Sequence, residues 1–266
     1  MYDLSDAVPR PAAEYGLALT SAIVDMLRST SSFSELANLM EAVAREMHFR
    51  HYALVHHEDL RASRPGRVDL RDYPSAIMQQ LLEGARYRRD PVIRGCIFAD
   101  GAFLWSDLPT IIRLDRNDRA RLEDGAIEGL NEGITVPYVR LGDRMGSCTF
   151  AGTRRPELAP KFLGAAQMIG IFAFQAARRL LGDVPAPAAV GALPRLHPRP
   201  RDCIILAGRG YSNKEIARAL ALTPRTVDGY LTQARRLFGA HDRAELVVSA
   251  VLAGEVGIDE LRRQPE

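Results

Sequence analysis

A chain of 266 residues, 47% hydrophobic and 26% charged, has enough apolar side chains for a packed core and is not built for long disorder. At about 100 to 200 residues per domain, that length predicts two domains. The formal charge of +2 excludes a strongly basic or acidic whole, yet Arg195 to Arg243 holds ten Lys and Arg against four acids, leaving −4 for the remainder; a basic end of this kind points to nucleic acid.

The first elements in chain order are two amphipathic helices. One places Leu19, Ile23, Met26 and Leu27 on a single face, and the next places Leu36, Leu39, Met40, Val43 and Met47 likewise. Ser32 followed by Glu35 predicts a capping box at the second. Strand patterns follow at Tyr52 to His56, Ile134 to Val139 and Met145 to Ala151, with Gly142-Asp143 as a hairpin turn between the last two. Helical stretches are expected near Pro74 to Tyr87 and Arg116 to Leu130. A last long helix has Phe162, Ala166, Ile169, Ala173, Ala176 and Leu180 on its face. Helices around a small antiparallel sheet predict an α-β-α sandwich able to hold a ligand between its layers.

From Gly182 to Pro194, prolines and small residues replace any helical or strand period, which marks a linker. Beyond it the pattern is all helical. Ser212 and Glu215 then form a second capping box, and Ile216, Ala217 and Leu220 face the core. After the turn Ala221-Leu222, Thr223 caps a helix with Pro224 at its first position, where a missing N–H costs nothing. Two short helices joined by a tight turn in a basic segment form a helix-turn-helix pattern. The whole is read as an α+β chain, the sandwich being followed by an all-α unit.

On the helix from Thr223 to Phe238, Val227, Leu231, Ala234 and Phe238 define one buried stripe. At 100° per residue, Arg225, Gly229, Thr232 and Arg236 fall opposite it, with Asp228 and Arg235 at one edge and Gln233 at the other. Such a face can enter a major groove, its N-terminal part against base edges and its arginines on phosphates. Gly229 costs about 1 kcal/mol relative to Ala in a helix, which suggests close backbone approach to DNA.

These residues carry a resemblance. Leu196-His-Pro-Arg199, Gly210-Tyr-Ser-Asn-Lys-Glu-Ile-Ala217, Leu222-Thr-Pro-Arg-Thr-Val227, Leu231, Ala234-Arg-Arg236 and Phe238-Gly239 look like the C-terminal DNA-binding domain of LuxR-type regulators. The resemblance implies an all-α four-helix unit, made of a scaffold helix over Pro200 to Ala207, the turn pair and a fourth helix over Asp242 to Leu252. It implies a cytoplasmic transcription regulator, a homodimer held partly by that fourth helix, on a two-fold symmetric double-stranded operator. It implies base reading by Asp228, Gly229 and Thr232. Lys214, Arg225, Thr226, Gln233, Arg235 and Arg236 complete the expected DNA-facing set. Two positions depart from the family: Pro200 replaces a Glu at the scaffold helix, and Asp228 stands where Lys or another long side chain is common.

The first domain resembles the autoinducer-binding domain of the same family from about Ser34 to Leu181. The carrying residues are Tyr73-Pro74, Tyr87-Arg-Arg-Asp90-Pro91-Val92, Phe103-Leu-Trp105 and Gly129-Leu-Asn-Glu-Gly133-Ile-Thr-Val-Pro137. By that resemblance Asp90 accepts the amide N–H of an N-acyl homoserine lactone or a related amphiphilic signal, Tyr73 and Thr149 supply hydroxyls, and Trp105 an aromatic wall. Ile77 and Leu81 occupy positions where the family has Trp and Tyr, so the indole donor to the lactone carbonyl is missing. The expected layout is a sensor domain over 1–182, a Pro/Ala linker over 183–195 and the DNA-binding domain over 196–266. A ligand-independent or heterodimerising regulator that blocks a partner LuxR-type protein is the alternative.

Other signals predict less. His48, His51, His56 and His57 lie close together, but neighbours on a strand point to opposite faces, so His56 and His57 are read as solvated imidazoles at a strand end and no metal site is expected. Cys96, Cys148 and Cys203 form no CxxC pair and predict neither a disulfide framework nor a zinc cage. No GxSxG, HExxH, P-loop or dinucleotide fingerprint is present, and neither an enzyme nor a cofactor is expected. The N-terminus lacks a basic start and apolar run, and no stretch approaches about 18 apolar residues, so no membrane partner is expected either.

Overall fold

A computed structural model describes residues 10–57, 66–75, 77, 79, 89–141, 143–182 and 195–262. The chain divides into two compact units, Met1–Val184 and Pro185–Glu266. Among the described residues no helix is long and apolar enough to cross a membrane.

The first unit is an α+β layered fold. Helices α1 (Arg10–Ser29) and α2 (Phe33–Glu46) lead into β1 (Phe49–His56) and β2 (Asp69–Arg71). Helix α3 (Pro91–Phe98), strand β3 (Phe103–Leu104), the short α4 (Leu108–Ile111) and α5 (Arg116–Ile127) follow, then β4 (Gly133–Tyr138), β5 (Gly146–Thr153) and α6 (Leu163–Leu180). The five strands form one antiparallel sheet in the order β2-β1-β5-β4-β3. The short edge strands β2 and β3 and helix α3 are absent from the sequence reading; three- and two-residue strands lack the length for a period to show. Ser75, Ile77 and Gln79 are helical, and the remainder of the helix expected near Pro74 to Tyr87 lies outside the described residues.

On the face covered by α1, α2 and α6, Leu54, Ile134, Val136, Cys148 and Phe150 join Leu36, Met40, Ile169, Ala173 and Phe174 in the main core. Helix α6 uses the expected stripe, with Ala166, Ile169, Ala173 and Ala176 buried. Helix α1 does not: Met26 is 54% exposed, while Thr20, Val24 and Leu27 are buried. The buried set is spaced i, i+4, i+7, so the true stripe is rotated away from Met26. At α2, Ser32 caps by accepting from Glu35 N at 3.2 Å, but the Glu35 carboxylate turns to Ser31, accepting from its N and Oγ at 2.9 Å, so the reciprocal box is not closed on Ser32. At the end of β4 and β5 Tyr138 pairs with Gly146; Asp143 N donates to Arg140 O at 3.0 Å and Asp143 pairs with Arg178 at 2.6 Å, while Gly142 of the expected hairpin turn lies outside the described residues.

The second unit contains α7 (Pro198–Gly208), α8 (Asn213–Leu220), α9 (Pro224–Phe238) and α10 (Arg243–Leu252) around Cys203, Ile204, Ile216, Val227, Leu231, Ala234 and Leu246. Helix α7 begins earlier than expected, with Pro198 and Pro200 both in its first turn and no side-chain cap from His197. Glu255 and Glu260 hold this end: Leu196 N donates to Glu255 Oε2 at 2.8 Å, and Arg201 pairs with Glu260 at 2.6 Å. The Ser212–Glu215 capping box is closed in both directions, Ala221 turns the chain in the left-handed region, and Thr223 caps α9 through Thr226 N.

Candidate ligand cavity and nucleic-acid interface

The second sheet face is lined by the alternate residues of the same strands. Register aligns Arg71 with Ala53, Ala53 with Thr149, and Thr149 with Thr135, a row running straight across four strands. Beside it run Asp69, Val55, Ser147 and Pro137. Thr135, Ser147 and Thr149 are buried in the middle of the sheet. Above this floor is a cavity of about 160 Å³, which Tyr73, Ile77, Asp90, Trp105 and Thr149 all line. An apolar cavity of about that size already admits a benzene-sized molecule. Leu81 lies outside the described residues.

Asp90 occupies two positions at once. Its Oδ1 accepts from Val92 N at 2.9 Å and Ile93 N at 3.1 Å, capping α3, while the side chain also borders the cavity. Burial pushes its carboxyl above the ordinary value, against the pull of the Ile93 and Val92 N–H groups. Tyr73 is pushed up in turn by burial and by the Asp90 charge, while Thr149 hydrogen-bonds it. Its phenol is therefore a neutral hydroxyl facing the cavity.

Trp105 is held on three sides. Its N–H and those of Ser106 and Gly133 converge on Glu132 Oε1 at 3.0, 3.3 and 2.8 Å, and its indole Nε1 donates to Thr135 Oγ1 at 2.9 Å. Thr135 Oγ1 meets Thr149 Oγ1 at 3.1 Å, linking indole, Thr135 and Thr149 into one chain. Gly133 makes the seat possible, because a Cβ there would lie 2.7 Å from the ring. The Trp105 donor is thus already engaged and does not replace the donor absent at Ile77, which packs with Leu130, Ala151, Tyr73 and Trp105.

The cavity also contains residues that the sequence reading did not assign to it: His57, Arg71 and Ser147. His56 and His57 are not solvated. His56 is buried with its ring 5.0 Å from Phe174, and Val68 N donates to its Nδ1 at 3.0 Å. His57 Nε2 lies 2.8 Å from Ser147 Oγ, and burial, with His56 beside it, pushes the imidazole down to about 4. The His56 ring is set by Val68, beside β2, and by Phe174 of α6, and the His57 ring by Ser147 of β5, none of which is near this strand end in sequence. A signal was present in Arg67, Asp69 and Arg71 alternating with Val68 and Leu70, the pattern of a strand with one charged face. Burial also pushes the Cys96 thiol up to about 12, leaving it an unreactive thiol. Among the described residues no cluster of His, Cys, Asp and Glu could hold a metal ion.

In the second unit, α9 buries Val227, Leu231 and Ala234, with Phe238 half-buried. Arg225, Asp228, Gly229, Gln233 and Arg236 are exposed; Thr226, Thr232 and Arg235 are half-buried, and Lys214 is exposed on α8. Asn213 Nδ2 donates to Asp228 Oδ1 at 3.4 Å, and Arg243 Nη1 donates to Asn213 Oδ1 at 3.1 Å, so Asp228 has a neighbour that accounts for a carboxylate on this face. Arg235 Nη2 donates to Thr232 Oγ1 at 3.1 Å. Nothing lies within 4 Å of the place a Gly229 Cβ would occupy. That glycine is therefore not required by packing within the chain.

Comparison with known families and structures matches both units. Residues 32–180 match the autoinducer binding domain family, and residues 195–250 match the luxR family of bacterial regulatory proteins. The transcriptional activator protein BjaR1 of Bradyrhizobium diazoefficiens is 30% identical over 164 residues, covering 62% of this chain and 65% of that protein. The quorum sensing-dependent regulator RpaR of Rhodopseudomonas palustris is 34% identical over 169 residues, with the same 62% and 65% coverage. The aligned part thus spans a little under two thirds of either relative. In fold, the chain resembles Escherichia coli SdiA at a TM-score of 0.53 and 18% identity, covering 90% of this chain and 98% of that one. A second SdiA structure, in complex with octanoyl-rac-glycerol, gives 0.52 at 18% identity over 92% and 97%. The N-acylhomoserine lactone dependent factor CepR2 of Burkholderia cenocepacia gives 0.51 at 15% identity, covering 64% of this chain and 99% of that one.

Proposed function

Because the chain belongs to the LuxR-type quorum-sensing regulators, with an autoinducer-binding domain and a LuxR helix-turn-helix domain, we propose that it is a cytoplasmic transcription regulator that binds a symmetric operator as a homodimer under control of an amphiphilic amide signal. The ligand class follows N-acyl homoserine lactones or close relatives. The observation that carries this reading is the placement of Tyr73, Asp90, Trp105 and Thr149 around one cavity. In it, Asp90 accepts the ligand amide N–H with the oxygen not spent on capping α3, Tyr73 and Thr149 meet the acyl carbonyl, and Trp105 walls the head group. Ile77 offers hydrocarbon where a donor would be needed for the lactone carbonyl, a loss of about 1–3 kcal/mol for a buried carbonyl. Relatives support an amphiphile without fixing its head group: one SdiA structure holds octanoyl-rac-glycerol, and CepR2 is described as lactone-dependent.

The proposed layout is a sensor over 1–182, a linker over 183–195 and a DNA-reading head over 196–266. Helix α9 enters the major groove, with Asp228, Gly229 and Thr232 at base edges and Arg225, Arg235, Arg236 and Lys214 on phosphates, while Thr226 and Gln233 flank them. Val248 and Leu252, 56% and 52% exposed on α10, are apolar positions that a second copy would cover. Mobility shifts at controlled salt test the assignment. Arg225→Ala should weaken binding to every sequence, whereas Thr232→Val should change preference between operators; equal effects on all sequences would contradict base reading by Thr232. Ile77 favours a second reading, a ligand-independent or heterodimerising regulator that blocks a partner. A chain that binds no operator alone yet removes another LuxR-type protein from its own would support it.

A further inference from the structure

One end of the cavity is more polar than an acyl chain requires. The row across the sheet begins at Thr135 and Thr149, where the indole, hydroxyl and Asp90 groups gather, passes the small Ala53, and ends at Arg71 on the edge strand. Thr149 and Arg71 are two strand spacings apart, about 10 Å. Arg71 uses Nε and Nη2 on Asp69, at 2.5 and 3.0 Å, and Asp69 is also engaged by Arg67 at 2.6 Å. The remaining nitrogen, Arg71 Nη1, is buried at the cavity with no hydrogen-bond partner among the described residues. His57 Nδ1, two residues beyond Val55 at the end of β1, is buried and without a partner in the same way. A hydrocarbon tail laid along this row would leave both nitrogens unsatisfied, a cost that native interiors avoid.

We propose that the ligand carries, about 10 Å from its amide nitrogen, an oxygen acceptor of carboxylate type that takes Arg71 Nη1, with His57 as the second contact; this rests on reading the cavity as an amide-binding site. A guanidinium is never deprotonated, and its free edge is best filled by an anion. Asp69 divides its charge between two arginines, which leaves Arg71 open to a further one. Ala53 keeps the floor low between the two ends, so that a chain of six or so methylenes passes over it.

Three probes of one length decide it, titrated calorimetrically into the full chain: N-octanoyl homoserine lactone, its 8-hydroxyoctanoyl counterpart and its 7-carboxyheptanoyl counterpart. The carboxylate should bind about tenfold or more tighter than the methyl-terminated probe, with the hydroxyl between them. In Arg71→Gln the three affinities should converge. Ala53→Leu, which raises the floor between Thr149 and Arg71, should weaken all three but leave N-acetyl homoserine lactone, too short to cross it. An octanoyl probe as tight as the carboxylate, or a carboxylate preference that survives in Arg71→Gln, overturns the inference and leaves the amide site standing. Failure of all four compounds to bind overturns the amide site and the inference together.

Discussion

The two faces of the five-stranded sheet are both removed from water, yet they are filled with opposite chemistry. On the helix side, Leu54, Ile134, Val136, Cys148 and Phe150 interlock with α1, α2 and α6, with Tyr52, His56 and Tyr138 among them. One residue out of phase, the same strands present Thr135, Ser147 and Thr149, flanked by His57 and Arg71. A buried hydroxyl costs free energy unless it is bonded, so a hydroxyl-rich face does not arise from packing alone. Its hydrogen bonds run laterally, from Trp105 to Thr135 to Thr149 and Tyr73, and leave acceptor and donor capacity aimed at the cavity. One face fixes the fold; the other is shaped for an occupant.

Substitutions on the two faces should therefore separate stability from binding. Phe150→Ala, on the helix face, is expected to cost about 3–5 kcal/mol in urea unfolding, the range for a fully buried Phe; a loss below about 1 kcal/mol would break the distinction. The pH response is the next largest effect. His57 has its folded pKa at about 4, below the ordinary 6.5, so the unfolded chain binds its proton first as pH falls. Stability from keeping His57 neutral is complete above 6.5 and is lost between 6.5 and 4, up to about 3 kcal/mol. His57→Gln should flatten that part of the stability profile between pH 7 and 5, checked by urea melts at both values.

Thr149→Val, on the cavity face, should change unfolding stability by no more than about 1 kcal/mol while weakening N-octanoyl homoserine lactone about tenfold. If stability falls and binding does not, Thr149 is only a core residue. The smallest effect contrasts the sensor with the DNA-reading head. Gly229→Ala should stabilise the isolated helix position by about 1 kcal/mol, since nothing crowds its Cβ, and yet weaken DNA binding. A gain in melting temperature with undiminished affinity would remove Gly229 from the interface.

The head was the more legible half. Its caps, its turn and its Val227–Leu231–Ala234 stripe are local features, read within a few residues of one another. The sensor depended on pairing between distant segments. Tyr73, Asp90, Trp105 and Thr149 came from a family resemblance, and they meet only because β2, α3, β3 and β5 are brought together around one cavity. Arg71 is hard to read because its strand, Asp69–Arg71, is three residues long, and His57 and Ser147 are placed by the distant pairing of the end of β1 with the start of β5. Asp90 shows the reverse: the resemblance implies a cavity role, the structure adds a helix cap, and the carboxylate has two oxygens with which to fill both. Met26 illustrates the weakness of a stripe read alone, since the partner helix chooses which of two overlapping apolar arcs is covered.

Asp90 is the residue on which the proposed reading of a ligand amide depends. Asn at this position is as good a helix cap, so Asp90→Asn keeps α3 in place while it puts an amino group where the second carboxylate oxygen met the ligand. Titration of N-octanoyl homoserine lactone into the wild-type chain and Asp90→Asn, with melting temperatures matched, tests this directly. Binding by the wild type and a loss of about tenfold to a hundredfold in the variant is the predicted result; equal affinity in the two would contradict it.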